Sequence, residues 1–246
     1  MGRDSSDGVP ERRSATAVPT DGRSSPDEIT AFLAATSTEA RHAARGRLIF
    51  ALDATASRQP TWDRAAKLQA AMFREAARIG GLEVQLVYYR GGGECRASRW
   101  LADATALGDL MGGLRCRAGP TEIGRVLTHV AAEARRRPVA ALAFVGDACE
   151  ESADELRAAA AEVALAGVAC FLFQEGDDPV AAAIFADVAR LTRGAHVPFD
   201  AGAADRLAEL LAAVAAYAAG GTAGLRALAD RPDGAEARRL IGKMAT

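Results

Sequence analysis

Residues 47 to 57 read RLIFALDATAS. Leu48 to Leu52 form an unbroken apolar run that stops at Asp53, and hydroxyls then recur at every second position, Thr55 and Ser57. A short continuous apolar run is what a strand covered on both faces needs, because both of its alternating sets of side chains are buried. A carboxylate and two hydroxyls leaving such a strand on one tight loop sit where an open parallel sheet binds its ligands, beyond the carboxyl ends of its strands.

Working outward, the pattern alternates. WDRAAKLQAAMFREAARIGG (62–81) reads as a helix with Leu68, Met72, Phe73 and Ile79 among its apolar residues, closed by Gly80 and Gly81. LEVQLVYYRG (82–91) is a strand, and ECRASRWLA (94–102) a more polar one. The intervening RGGG makes the second a hairpin partner at a sheet edge. DATALGDLMGGL (103–114) reads as a broken helix, residues 122–136 as a helix and PVAALAFVGD (138–147) as a buried strand. SADELRAAAAEVALAG (152–167) opens with Ser152 and Glu155 spaced as a capping box. VACFLFQEG, DPVAAAIFADVARLTRG, AHVPFD and ADRLAELLAAVAAYAAGG complete the series as strand, helix, strand and helix. The expected architecture is α/β, a Rossmann-like doubly wound, mostly parallel six-stranded sheet with one antiparallel edge strand and helices on both faces.

That domain is expected over residues 46–221. Residues 1–26, rich in Ser, Gly, Pro, Arg and Asp, cannot bury enough apolar surface to offset their ordering entropy and read as a disordered tail. A lead-in helix follows at 27–45, with Ser25 as cap, Pro26 in the first turn and Ile29, Phe32 and Leu33 on one face. Residues 222–246 read as a C-terminal tail, either a loose helical appendage or a partner-docking segment, with Leu225, Leu228, Leu240 and Ile241 around a turn at Pro232 to Gly234.

The totals exclude several function classes. Of 246 residues 50% are apolar, ample for a core, and a net charge of -2 offers no basic face for nucleic acid. The run Arg135 to Arg137 precedes Pro138 and reads as a solvated helix end. Lys67 and Lys243 are the only lysines, and with so much alanine the Arg-heavy composition points to a GC-rich bacterial genome. Cys95, Cys116, Cys149 and Cys170 are scattered without a CxxC pair and read as free thiols in a reducing compartment. His42, His129 and His196 lack ligand spacing. The amino terminus has no apolar signal core and no uninterrupted apolar run reaches membrane-spanning length, so a cytoplasmic chain without membrane contact is expected.

Three segments leave the expected strand ends with polar side chains: Asp53-Ala54-Thr55-Ala56-Ser57, AGPTE with Thr121, and FVGDACEE with Asp147. Two carboxylates and three hydroxyls are hard oxygen donors, suited to magnesium, manganese or calcium and wrong for copper or zinc. The set Asp-x-Thr-x-Ser, then a Thr about 65 residues on, then an Asp after a buried strand, resembles the metal-ion-dependent adhesion site of von Willebrand factor A-type domains. The resemblance spans residues 46 to about 221. It implies a divalent cation, magnesium first and manganese or calcium as alternates, with Thr55 and Ser57 as direct hydroxyl ligands. Thr121, Asp53 and Asp147 would bind it directly or through water, and another protein would supply the completing carboxylate. Thr55 stands where that pattern usually has Ser, and Ala56 where it commonly has Gly; neither change removes a ligand. Glu150 and Glu151 add negative charge at the rim, favouring a cation and opposing an acidic partner.

Each segment taken alone has a plainer meaning, since Asp53 and Thr121 are residue types that cap helices. Cys149 has acids on both sides, which disfavours a reactive thiolate. An enzymatic alternative also exists. LDATAS and VGDACEES faintly resemble haloacid-dehalogenase-like phosphohydrolases, with Asp53 as nucleophile and magnesium on a later acid pair. That chemistry usually wants a second Asp where Thr55 stands and a lysine between the two motifs just ahead of the second, a place neither Lys67 nor Lys243 occupies. No GxGxxG or GxxxxGK[ST] follows any strand, which weighs against a nucleotide-binding domain. The reading taken forward is a non-enzymatic, metal-dependent protein-interaction module.

Overall fold

Gly46–Asp53 forms strand β1, and seven of its eight residues are buried, as the double-sided apolar run requires. The computed structural model describes residues 45–56, 75, 81–200 and 204–244. The chain divides into units Met1–Arg41 and His42–Thr246, and every described residue belongs to the second. The expected tail at 1–26, nearly all of the lead-in helix at 27–45, the helix expected over 62–81 (bar Glu75 and Gly81), and Ser57 lie outside the described residues.

From β1 the described elements run β2 (Leu82–Arg90), β3 (Glu94–Ala97), α1 (Ala104–Gly112), α2 (Ile123–Arg136), β4 (Ala141–Gly146), α3 (Ala153–Leu165), β5 (Ala169–Glu175), α4 (Pro179–Leu191), β6 (Ala195–Phe199), α5 (Ala204–Ala229) and α6 (Ala235–Met244). They build one six-stranded sheet in the order β3-β2-β1-β4-β5-β6. Every pairing is parallel except β2 with β3, the expected hairpin. Its turn needs the RGGG sequence, because Gly91, Gly92 and Gly93 all take positive φ, where a side chain would be strained. The strand order reverses between β1 and β4, so the crevice above those two strands is the topological switch point.

Alternation along the strands divides the core. Leu48, Phe50 and Leu52 of β1 join Ala141, Ala143 and Val145 of β4 in a layer covered by α1, α5 and α6. Ile49 and Ala51 join Leu142 and Phe144 in the opposite layer, covered by α2, α3 and α4. Asp103 caps α1, accepting from the Ala106 N–H at 2.9 Å, and Asp178 caps α4 ahead of Pro179. The region read as a broken helix is one uninterrupted helix, α1, through Gly112.

Two readings differ from the structure. The Ser152–Glu155 capping box does not form: the Ser152 side chain makes no cap hydrogen bond, although Asp154 and Glu155 still place negative charge in the first turn of α3. Residues 222–244 of the expected tail are not a loose appendage. α5 continues past Gly221, where it kinks (φ 59, ψ -153), as far as Ala229, and α6 packs back against it. Leu225 and Leu240 are fully buried in the same layer as β1. Amphipathic spacing marked these leucines as apolar, but only the returning helix provides a surface to cover them. α5 is long and apolar enough to cross a membrane by length and composition, yet half of its most apolar stretch is buried within the protein.

Candidate metal centre

Asp53 ends β1 and is 2% exposed. Its Oδ1 accepts from the Thr55 N–H at 2.7 Å, closing a tight turn that brings the Thr55 side chain over the strand end. The next segment arrives from the loop before α2, tied to the first by the Arg117 N–H donating to the Ala54 carbonyl at 3.0 Å. The third follows β4, where Asp147 is the first residue beyond the strand.

Asp53, Thr55, Thr121 and Asp147 all line one cleft of about 200 Å³, together with Ala56, Ala118, Gly119, Ala148 and Glu150. Four of the five residues singled out from sequence therefore converge from three distant segments at the switch point; Ser57 lies outside the described residues. The part of the cleft bounded by described residues is smaller than the roughly 300–1,000 Å³ of pockets that enclose drug-sized molecules and has room for an ion and a small group. Among the described residues neither lysine nor arginine lines it; Arg58 and Lys67 lie outside them. Lys243 faces a different cavity with Arg193 and His196, at the opposite, amino-terminal end of β6, far from where a phosphoaspartate would need a cation.

Helix capping does not account for Thr121. Its hydroxyl accepts from the Glu150 N–H at 3.0 Å, and its own N–H donates to Glu150 Oε2 at 3.3 Å. The start of α2 is capped instead by Glu151, whose carboxylate accepts from the N–H groups of Ile123 and Gly124. The β4–α3 loop thus holds the α2 loop in place, and the Thr121 hydroxyl keeps a second lone pair for the cleft.

Sequence reading missed two contributors. Tyr89 pairs with Asp53 in the sheet register and is fully buried, its ring 6.4 Å from that of Phe144. Burial, then the Asp53 carboxylate, with Glu151 and Asp147 behind, pushes its phenol well above the ordinary range, so a neutral hydroxyl lies beneath the acids. The strand register, two residues per face, was the available signal. Gly119 is the other. A Cβ there would stand 2.4 Å from the backbone nitrogen of Gly92 and 2.7 Å from that of Gly91, so only glycine lets the cleft wall rest on the hairpin. Cys149 is buried, and burial, with Glu151, Asp178 and Glu150 adding to it against a backbone hydrogen bond, raises its thiol, which stays protonated.

Among the described residues no three His, Cys, Asp or Glu side chains group as a metal site in the usual way. The cleft offers three carboxylates, of Asp53, Asp147 and Glu150, and two hydroxyls, with space for water, which fits a hard, oxygen-preferring cation that keeps part of its hydration.

No protein-family model matches this sequence, and no curated protein does. Solved structures do. The VWA domain of SpRpn10 superposes with a TM-score of 0.54 at 13% identity, covering 66% of this chain and 95% of that one. An aerotolerance-related membrane protein from Bacteroides fragilis NCTC 9343 matches with a TM-score of 0.52 at 11% identity, over 81% of this chain and 98% of that one. The pilus adhesin SpaC from Lactobacillus rhamnosus GG gives 0.55 at 11%, over 70% of this chain and 29% of that one. At such identities the likeness is one of fold, and the fold is that of von Willebrand factor A-type domains.

Proposed function

We propose that this chain is a metal-dependent protein-interaction module. A divalent cation, magnesium first and manganese or calcium as alternates, is held by Asp53, Thr55, Ser57, Thr121 and Asp147. The cation supplies Lewis acidity toward an oxygen ligand; the chain supplies a rigid oxygen-lined cleft and leaves room for a carboxylate from another protein. The observation that carries this reading is the convergence of Asp53, Thr55, Thr121 and Asp147 in one small cleft where the strand order reverses. The two aspartates balance the charge of one divalent ion, and hydroxyls add donors without adding charge. An adhesin among the fold neighbours is in keeping with a binding role. The described part of the cleft presents two aspartates and two hydroxyls and, among the described residues, no lysine or arginine to stabilise a phosphoryl intermediate, which supports binding over catalysis.

Titration with Mn²⁺, followed by the loss of its free electron paramagnetic resonance signal, tests the site. Wild-type protein is expected to bind one Mn²⁺ that Mg²⁺ displaces. Asp53→Ala is expected to lose at least about tenfold in affinity while keeping its circular dichroism spectrum, since a hard-cation site depends on its carboxylates. Equal Mn²⁺ affinity in both proteins overturns the reading. Magnesium-dependent phosphatase turnover abolished by Asp53→Asn would replace it with the enzymatic one.

A further inference from the structure

Beside the cleft lies a surplus of positive charge that the metal site does not use. The Glu94 carboxylate, at the start of β3, receives three guanidinium groups: Arg90 at 3.1 Å, Arg96 at 3.2 Å and Arg117 at 3.7 Å. One acid against three bases leaves two positive charges in excess at the hairpin. Arg90 is structural. Its side chain is 18% exposed and also donates to the Arg115 carbonyl at 2.6 Å. Arg96 and Arg117 are 70% and 64% exposed and project into solvent.

Arg117 directly precedes the cleft wall and is held there through its backbone. Its N–H donates to the Ala54 carbonyl in the first metal loop, and its own carbonyl accepts from the Gly91 N–H at the hairpin turn, at 3.3 Å. Ala118 and Gly119, the next two residues, line the cleft. The rim also carries the exposed Glu150, hydrogen-bonded to Thr121. A chain approaching the ion with an acidic side chain is therefore repelled by Glu150 and attracted by Arg96 and Arg117 at the hairpin.

Resting on the metal-site reading, we propose that the partner element is an extended acidic peptide that leaves the cleft over the β2–β3 hairpin, with one carboxylate on the ion and a second on Arg96 and Arg117. In an extended chain, side chains two residues apart lie about 7 Å apart on the same face. Paired guanidinium groups are suited to a second carboxylate because they present several donors in a fixed geometry.

The experiment is fluorescence anisotropy in saturating Mn²⁺ with two labelled peptides, hexaglutamate and a hexamer carrying one glutamate among glutamines. Wild type is expected to prefer hexaglutamate by about tenfold at low salt, a preference that salt erodes. Arg96→Ala/Arg117→Ala is expected to bind Mn²⁺ normally and to lose that preference, whereas Arg193→Ala, at the far end of the sheet, keeps it. Retention of the preference in the double variant overturns the inference, as does failure of hexaglutamate to bind Mn²⁺-loaded wild type. Failure of wild type to bind Mn²⁺ at all sinks the metal reading itself, and this inference with it. Normal Mn²⁺ binding with unchanged peptide preference sinks the inference alone.

Discussion

Thr121 and Glu151 show how one residue type acquires its role from a distant neighbour. A threonine just before a helix normally spends its oxygen on the helix's own N–H groups. Here Glu151, from the loop after β4, takes the N–H groups of Ile123 and Gly124, and Thr121 is left turned toward the cleft. Removing that carboxylate strands two helix-end donors. Glu151→Ala is expected to cost about 1–2 kcal/mol, the usual range for losing a cap. Urea denaturation would read it as a lower midpoint at unchanged slope, and an unchanged midpoint would show that water caps α2 equally well. The two aspartates and Thr55 were legible from sequence because each directly follows an apolar strand. The cap was not, because Glu151 and Ile123 are remote in the chain and no local pattern joins them.

At the scale of elements, the site depends on the β2–β3 hairpin bearing on the loop that precedes α2. The contact is backbone to backbone at Gly119, with Gly91 and Gly92 opposite. Gly119→Ala places a methyl inside that contact, and neither partner is a flexible side chain that can swing away. The loop must lift, carrying Thr121 with it. A stability loss of about 1–3 kcal/mol is expected, typical of overpacking. Mn²⁺ affinity should fall alongside it, while Gly112→Ala, where a Cβ meets nothing, serves as the silent control. Wild-type affinity in Gly119→Ala would mean that hairpin and cleft are uncoupled. The hairpin was evident in the sequence from RGGG between two strand-like runs, but its second use, as a floor for the cleft wall, was not.

At the scale of the molecule, the carboxyl-terminal helices belong to the core. Leu225, Leu228 and Leu240 are all buried, and burying each is worth about 1.5–3 kcal/mol. Their sum approaches the whole stability of an ordinary domain, about 5–15 kcal/mol. A chain ending at Gly221 is therefore expected to lose cooperative unfolding, monitored by circular dichroism against urea. A sharp transition in the shortened chain would show that residues 222–244 only decorate the fold.

The order of strands and helices, the antiparallel edge and the double-sided burial of β1 are determined by the sequence alone. They follow from local periodicity, an alternation of two residues in strands and a turn every 3.6 in helices. The oxygen ligands were nameable for the same reason, as polar residues stationed where apolar runs stop. What tertiary structure decided was adjacency: Asp53 and Asp147 on one cleft beyond the paired strands β1 and β4, Glu151 on the start of α2, three arginines on Glu94, and a helix returning over Leu225. Those contacts join positions far apart in the chain, and their formation rests on the packing of the sheet and its two helical layers, which no short stretch of sequence contains.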